Sequence, residues 1–222
     1  MRTSVLYASV KPLEDERLFE KYYGGLRPYR RSKADQTALH SGKVLSVGAG
    51  ALLEKALDRF GVSMDTLEFS TVGGGKPVIV SSDGVHFNIS HSGERVMCAV
   101  SEKPVGCDVE LVRKYNVRIA ERFFAKSEYA RILSASDEEE RLAVFFRLWT
   151  LKESFMKTTG MGFSLPMNEF VINIDNKKIS VSQSVDRNEY YFAEYDPGDG
   201  YKYACCCLKD DLPAKMERVV FD

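Results

Sequence analysis

Two acidic residues at positions i and i+2, Asp108 and Glu110, lie in a stretch whose apolar residues are typical of a β-strand. Alternate side chains of a strand point to the same face, so these two carboxylates lie roughly 7 Å apart on one side of it. At that separation their oxygens can converge on a single cation. An isolated pair of this kind is more commonly a solvated strand edge, so the metal interpretation depends on a third ligand.

A third carboxylate, Glu153, belongs to a stripe of residues spaced four apart on a predicted helix, Trp149, Glu153 and Lys157. By itself a Glu–Lys pair at this spacing is a surface ion pair that contributes a few tenths of a kcal/mol. Beside Asp108 and Glu110, however, Glu153 completes a site made of oxygen ligands alone. Hard oxygen ligands without His or Cys favour Mg²⁺ or Mn²⁺ over zinc, with water and substrate phosphates in the remaining positions.

A cluster of hydrogen-bond donors, Ser90, His91 and Ser92, follows a segment in which apolar and polar residues alternate as in a half-buried strand. A lone histidine is more often structural than functional, but this one is flanked by hydroxyls and closely followed by a glycine. That combination fits a phosphate-binding turn better than a core position. The serines are not part of a G-x-S-x-G sequence, which argues against a hydrolase nucleophile.

Residues 73–77, Gly-Gly-Gly-Lys-Pro, superficially resemble a phosphate-binding P-loop. Pro77 stands where a Ser or Thr should bind magnesium, Ser70 replaces the earlier glycine, and a strand rather than a helix is predicted to follow. The P-loop interpretation therefore fails. What remains is Lys76 at the tip of a glycine turn, from which its ammonium can reach a phosphate.

The elements that must position these residues are those of an α+β protein. Each half of the chain has the pattern strand, helix, strands, and a seam near residues 102–104 predicts two similar halves, residues 1–103 and 104–222. We expect each half to have a small antiparallel or mixed sheet with helices packed on it, and the second half to carry the metal site. The boundary between two such halves is a common place for a ligand cleft.

Two long helices are predicted from the apolar spacing and from the residues at their ends. The first ends at Gly61. The second begins at Ser136, whose side chain caps it while Glu139 completes a capping box, and it ends at Gly160.

The composition is that of an ordinary globular protein, with 44% hydrophobic and 28% charged residues among 222. The formal net charge of −1 provides no global field for nucleic acid or an anionic membrane, so neither is expected as a partner. No apolar run has the length of a membrane span, and the first ten residues lack the pattern of a signal peptide. The five cysteines form neither a disulfide framework nor C-x-x-C spacing, which favours reduced thiols and a cytoplasmic location.

These motifs, in this order, resemble those of the 4′-phosphopantetheinyl transferases, specifically the long, monomeric type that activates surfactin synthetase. The resemblance covers residues 73–170 clearly and the rest of the chain weakly. It rests on three blocks, which are Gly75-Lys76-Pro77 with Phe87-Asn88-Ile89-Ser90-His91-Ser92, then Gly106-Cys107-Asp108-Val109-Glu110, and then Trp149-Thr150-Leu151-Lys152-Glu153-Ser154 with Lys157, Gly160, Gly162 and Leu165-Pro166.

The resemblance implies a monomer of two pseudosymmetric halves with coenzyme A bound in the cleft between them. It assigns Asp108, Glu110 and Glu153 to Mg²⁺, with Mn²⁺ as an alternative, and it gives catalytic roles to Asp108, Glu153 and Lys157. Glu153 is the candidate general base, directly or through a water, and Lys157 would steady the transferred phosphate. The predicted contacts to the phosphates of the coenzyme come from Lys76, Ser90, His91, Lys152 and Lys157.

Two positions depart from the family pattern. Cys107 replaces the usual aliphatic residue, which should be harmless because its side chain faces the core. Family members also often carry an arginine where this sequence has Ala38, at the place that contacts the 3′-phosphate of the coenzyme. The predicted substitutes lie a few residues upstream, in the basic segment that contains Arg30, Arg31 and Lys33.

The implied reaction transfers 4′-phosphopantetheine from coenzyme A to a serine of an apo acyl or peptidyl carrier protein, giving the holo carrier protein and 3′,5′-ADP. Two alternatives stay open: a metal-dependent pyrophosphatase with water as nucleophile, and a binding module without turnover. The intact acidic triad argues against the second. Arg118, Arg122 and Lys126, spaced four apart in a predicted helix, are the hypothesis for the surface that binds an acidic carrier protein.

Overall fold

The structure is a computed structural model that describes residues 3–64, 67–72, 76–79, 84–176 and 178–222. The chain is α+β, as predicted. Its helices are α1 (Glu16–Gly25), α2 (Pro28–Asp35), α3 (His40–Arg59), α4 (Val117–Phe123), α5 (Lys126–Leu133) and α6 (Glu138–Thr159). Its strands are β1 (Ser4–Ser9), β2 (Phe69–Val72), β3 (Lys76–Ile79), β4 (His86–Ser92), β5 (Arg95–Ser101), β6 (Val105–Leu111), β7 (Val171–Asp175), β8 (Lys178–Ser182), β9 (Tyr191–Tyr195), β10 (Tyr201–Cys207) and β11 (Glu217–Val219).

The two halves follow the same path. Each begins with a strand (β1 or β6), continues through a long helix (α3 or α6) and a two-stranded hairpin (β2–β3 or β7–β8), and ends with two antiparallel strands. In both halves the last strand lies between the other two, giving the orders β1-β5-β4 and β6-β10-β9. This repetition confirms the two pseudosymmetric halves predicted from the sequence.

The last strand of the chain crosses back to the first half. Strand β11 pairs in parallel with β1, so that the first sheet has the order β11-β1-β5-β4 and is mixed. Val219 and Phe221 are buried in the core of the first half. The division at residue 103 stays a prediction, and the structure adds that the C-terminal residues pack with the N-terminal half.

Three apolar cores hold four layers together. Helix α3 packs on the outer face of the first sheet, and helix α6 packs on the outer face of the second. The inner faces of the two sheets share a third core that includes Met97 of β5, Cys107 of β6 and Tyr203 of β10. Central strands β5 and β10 are buried on both faces, which explains why they are nearly continuous runs of apolar residues rather than alternating patterns.

The N-cap of helix α6 lies one residue later in the chain than predicted. Asp137, not Ser136, is the N-cap residue, and its Oδ1 accepts a hydrogen bond of 2.8 Å from the amide of Glu140. The carboxylate of Glu140 in turn accepts hydrogen bonds from both the amide and the hydroxyl of Ser136. The predicted end is confirmed, because Gly160 takes a left-handed conformation (φ 72°) that closes the helix. No helix within the described ranges is long and apolar enough to cross a membrane.

Candidate active site

The centre of the site is Asp108, a carboxylate on β6 that is only 3% exposed. Its Oδ1 accepts hydrogen bonds from the hydroxyl of Ser90 at 2.8 Å and from Nζ of Lys157 at 2.6 Å. Lys157 also donates to Oγ of Ser90 at 3.1 Å and to the backbone oxygen of Cys107 at 3.2 Å. Residues from β4, β6 and α6 therefore meet at one carboxylate oxygen, as the three sequence motifs predict.

Side chains of β4 connect the two halves along the seam between β4 and β6. Oδ1 of Asn88 accepts a hydrogen bond of 3.0 Å from the amide of Cys107, whose buried thiol donates to the backbone oxygen of Asn88. Two and four residues further along β4, Ser90 donates to Asp108 and Ser92 donates to Oε2 of Glu110 at 2.6 Å. Three alternate residues of β4, Asn88, Ser90 and Ser92, thus each make a hydrogen bond to β6.

Helix α6 reaches this seam because Gly106 has no side chain. A Cβ at that position would lie 2.2 Å from the backbone oxygen of Ser154 and 2.6 Å from the amide nitrogen of Thr158, so the helix backbone rests directly on β6. This close approach brings Glu153 and Lys157 beside Asp108. Gly106 is a site-forming residue that the sequence analysis missed, although the glycine next to the D-x-E motif is the signal that identifies it.

Each of the two remaining carboxylates carries a raised pKa. Burial raises the pKa of Glu110, and the charge of Asp108 adds to that effect. Burial, together with the charges of Asp108 and Glu110, raises the pKa of Glu153 to about 7, although the charge of Lys157 opposes the shift. The three carboxylates therefore lie close enough for the charge of one to raise the pKa of another.

The described residues do not, however, form a closed metal site, since no group of three His, Cys, Asp or Glu side chains among them is arranged to hold an ion. The cation at Oδ1 of Asp108 is the ammonium of Lys157, whose Nζ lies 2.6 Å from that oxygen. One observation nevertheless fits a metal. Oδ2 of Asp108 is buried, and no group in the described part of the chain donates a hydrogen bond to it. A buried carboxylate oxygen without a partner is costly unless a cation or donor binds there.

A cavity of about 430 Å³ opens beside His91 and contains two of the predicted cations, Arg30 and Lys33. Arg30 is 7% exposed and donates through Nη2 to the backbone oxygen of Ser46 at 3.1 Å, while its Nε has no hydrogen-bond partner among the described residues. Partial burial, followed by the charges of Lys157 and Arg30, lowers the pKa of His91. The described lining includes Arg30, Lys33 and His91 but no carboxylate, which suits an anionic ligand.

A second cavity of about 310 Å³ lies in the other half, with Glu110, Tyr115, Phe145 and Trp149 in its wall. The described wall of each cavity comes from one half only, near His91 in the first half and near Glu110 in the second, and the ligand cleft between the halves stays a prediction. The aromatic wall is a further feature that the sequence analysis did not single out.

Two predicted coenzyme ligands are in the wrong place. Lys152 is 0% exposed, and its ammonium donates to both carboxylate oxygens of Glu128 at 2.7–2.8 Å and to the backbone oxygen of Phe170 at 2.7 Å. The Lys152 side chain has no exposed surface, whereas that of Lys157 is 26% exposed, so Lys152 cannot reach a ligand and the prediction for it is wrong. Arg31 donates to the backbone oxygens of Gly24 and Leu26 and does not line the cavity, which removes it from the set of substitutes for the missing arginine.

Two further predictions concern the phosphate contact of Lys76 and the basic surface proposed for the carrier protein. Lys76 lies on β3, but its side chain is outside the described residues, so its phosphate contact stays a prediction. Arg118, Arg122 and Lys126 are all exposed, yet they do not form one helical stripe. Helix α4 ends at Phe123 and α5 begins at Lys126, because Phe124 and Ala125 adopt extended conformations between them.

Comparison with known proteins identifies the family of this chain. The family model of the 4′-phosphopantetheinyl transferase superfamily matches residues 104–206, which include β6 and α6. The 4′-phosphopantetheinyl transferase Sfp from Bacillus subtilis (strain 168) is 32% identical over 214 residues, which cover 96% of this chain and 95% of that protein. The 4′-phosphopantetheinyl transferase psf-1 from Bacillus pumilus is 36% identical over 163 residues, which cover 73% of this chain and 68% of that protein. The resemblance inferred from the motifs is confirmed: this chain belongs to the 4′-phosphopantetheinyl transferase superfamily.

Proposed function

We propose that this chain catalyses the magnesium-dependent transfer of 4′-phosphopantetheine from coenzyme A to a serine of an apo carrier protein, with release of 3′,5′-ADP. Family membership supports the reaction, since both relatives described above are named 4′-phosphopantetheinyl transferases. The structural observation that carries the proposal is Oδ2 of Asp108, a buried acceptor without a described partner at the point where β4, β6 and α6 meet.

Asp108, Glu110 and Glu153 would hold Mg²⁺, or Mn²⁺ in its place, because all three offer hard carboxylate oxygens. When bound, the metal neutralises charge that develops on the pyrophosphate during transfer. Ser90 and Ser92 orient two of the three ligands through the hydrogen bonds to Asp108 and Glu110. Such supporting contacts decide how well carboxylates bind a metal.

Glu153 and Lys157 are the residues that act on the reacting groups. A carboxylate with a pKa of about 7 is well matched to accept the proton of the carrier serine near neutral pH. The ammonium of Lys157 stabilises the phosphate that is transferred. Its hydrogen bonds to Asp108 and Ser90 hold the ammonium in place. Attack by the serine oxygen on phosphorus forms one P–O bond and breaks the bond to the departing 3′,5′-ADP.

The cavity beside His91 is the proposed site for the nucleotide end of the coenzyme. The proposed phosphate ligands are Ser90 and His91, which lie on β4 at the seam, and Lys76 of β3. Arg30 and Lys33 would bind the 3′-phosphate, in place of the arginine that Ala38 replaces.

We further propose that the protein acts as a monomer in the cytoplasm, without nucleic acid or membrane partners. One chain supplies β4, β6 and α6, so the site needs no residue from a second copy. All five cysteines are buried and none forms a disulfide, which suits a reducing compartment. The net charge of −1 provides no general attraction to polyanions.

The test is incubation with coenzyme A, Mg²⁺ and an apo carrier protein, followed by mass spectrometry of the carrier. We expect the carrier to gain the phosphopantetheine arm, and Asp108→Ala to lower the rate by orders of magnitude without unfolding the protein. Asp58→Ala, on the exposed face of α3, is the matched control and should keep wild-type activity. Activity in excess chelator would contradict the metal, and free phosphopantetheine with an unmodified carrier would identify a pyrophosphatase instead.

A further inference from the structure

The turn that joins β4 to β5 is held by a tyrosine of the other half. Gly93 and Glu94 form this turn, directly after Ser92, and the amide of Glu94 donates a hydrogen bond of 3.0 Å to the hydroxyl of Tyr201 on β10. Gly93 has a φ of 54°, and a Cβ there would lie 2.5 Å from the Tyr201 hydroxyl oxygen. The turn and the tyrosine therefore fit together only because residue 93 is glycine.

An ion pair beside the turn strengthens the same contact. Nε of Arg95, in the first half, lies 2.7 Å from Oδ2 of Asp199 in the second half, and both side chains are less than one-fifth exposed. The Arg95 guanidinium also lies over the ring of Tyr201, 5.0 Å from its centroid. Tyr203 donates its hydroxyl to the same oxygen of Asp199 at 2.8 Å. We call Arg95, Asp199, Tyr201 and Tyr203 the turn clamp.

The turn that the clamp holds directly follows Ser92, whose hydroxyl contacts the active site. Ser92 donates to Oε2 of Glu110 at 2.6 Å and accepts a hydrogen bond of 3.2 Å from the amide of Leu111. The Ser92 hydroxyl therefore donates its hydrogen to Glu110 and accepts a hydrogen bond from the backbone of β6. A shift of the turn would disturb both hydrogen bonds together. Tyr201 is the β10 residue paired with Leu111, so the clamp acts at the level of the strand where Ser92 is bonded.

We propose that Tyr201 and Arg95 are positioning residues, which hold the turn at residues 93–94 so that Ser92 keeps the Glu110 carboxylate oriented for the metal. This inference rests on the proposed function, because it concerns one of the proposed metal ligands. The clamp is not needed merely to join the halves, since the two sheets already share a buried core that includes Met97 and Val105. Its distinct contribution is the orientation of one side chain at the open end of the seam.

The test uses Tyr201→Phe, which removes only the hydroxyl that accepts from Glu94. Tyr191→Phe is the matched control, because that hydroxyl donates to the exposed Glu189 and lies away from the seam. Two quantities are measured on the full chain: exchange of the Leu111 amide by NMR without metal, and Mn²⁺ affinity by electron paramagnetic resonance with coenzyme A present. We expect Leu111 to exchange about tenfold faster in Tyr201→Phe, as local opening predicts. We also expect Mn²⁺ to bind about tenfold more weakly, as for other residues that orient a metal ligand.

The charge contact is tested in the same two measurements. Arg95→Met should behave like Tyr201→Phe, and Arg95→Lys should restore part of the loss because it keeps a cation beside Asp199. Leu111 exchange or Mn²⁺ affinity within twofold of wild type in Tyr201→Phe would overturn the inference. A wild-type protein that binds no Mn²⁺ would contradict the metal in the proposed function, and that result is distinct because it appears before any substitution is made.

Discussion

Burial and two neighbouring carboxylates raise the pKa of Glu153 to about 7, whereas the ordinary value is 4.5. Without metal, the folded protein therefore binds more protons than the unfolded chain between these two pH values, and its stability falls as the pH rises through that window. The loss is at most about 3.5 kcal/mol, because the pKa rises from 4.5 to about 7 and one pKa unit corresponds to roughly 1.4 kcal/mol.

We expect urea unfolding in chelator to show lower stability at pH 8 than at pH 5, and Glu153→Gln to remove most of that difference. Added Mg²⁺ should restore stability to the wild-type protein more at pH 8 than at pH 5, since only the ionised carboxylate binds it well. An identical pH dependence in Glu153→Gln would show that another group is responsible.

Arg30 is expected to distinguish coenzyme A from dephospho-coenzyme A, which lacks the 3′-phosphate. A hydrogen bond to a charged group contributes about 1.5–3 kcal/mol, so Arg30→Met should narrow the preference for coenzyme A by about tenfold or more. Arg31→Met is the control, because Arg31 serves the carbonyls of Gly24 and Leu26. The measurement is kcat/KM for both coenzymes with each variant. Equal effects of the two substitutions would place the 3′-phosphate elsewhere.

At the scale of elements, the contact between β6 and α6 depends on Gly106. Gly106→Ala would place a methyl group 2.2 Å from the backbone oxygen of Ser154, which the helix can relieve only by moving. We expect a destabilisation of about 3 kcal/mol or more and a large loss of transfer, because overpacking against a backbone cannot be absorbed by a side chain. Gly24→Ala, where the added Cβ meets no atom within 4 Å, should be nearly neutral in unfolding and activity assays. Wild-type stability in Gly106→Ala would mean that α6 does not rest on β6 as described.

Relations within one element could be predicted from local patterns, whereas most relations between elements could be predicted only through the resemblance to a known family. Strand alternation places Asp108 and Glu110 on one face, and helical spacing places Glu153 and Lys157 on one stripe. Lys152 adjoins Glu153 in sequence, but one residue turns a helix by about 100°, so it points into the C-terminal core instead. Whether that direction leads to a ligand or to Glu128 depends on α5, which no local pattern places.

The same limit applies to the cations of the N-terminal half. Arg30 and Arg31 are adjacent in sequence and have the same side chain. Because of the position of α2 against α3, Arg30 donates to the backbone oxygen of Ser46, whereas Arg31 donates to that of Gly24 at the end of α1. For the α4–α5 surface, the apolar pair Phe124-Ala125 is buried and ends the helix, which a count of basic residues at intervals of four does not reveal.

At the scale of the whole molecule, the pseudosymmetric halves differ in one respect, since only the first sheet receives a strand from the far end of the chain. Phe221 is 2% exposed in the core of the first half, whereas the adjacent Val220 is 58% exposed. We expect Phe221→Ala to cost about 3–5 kcal/mol and Val220→Ala less than about 0.5 kcal/mol in unfolding experiments. A similar, small effect of both substitutions would show that the first half is stable without its final strand.

The parallel pairing of β11 with β1 also has a consequence for synthesis on the ribosome. Translation delivers β1 long before β11 and Phe221, so the N-terminal half cannot complete its sheet when its own residues emerge. Multidomain chains commonly fold their first unit during synthesis and their later units afterwards. Here one edge of β1 has no partner strand until β11 has been synthesised, so we expect the first sheet to be completed only after the second half has emerged.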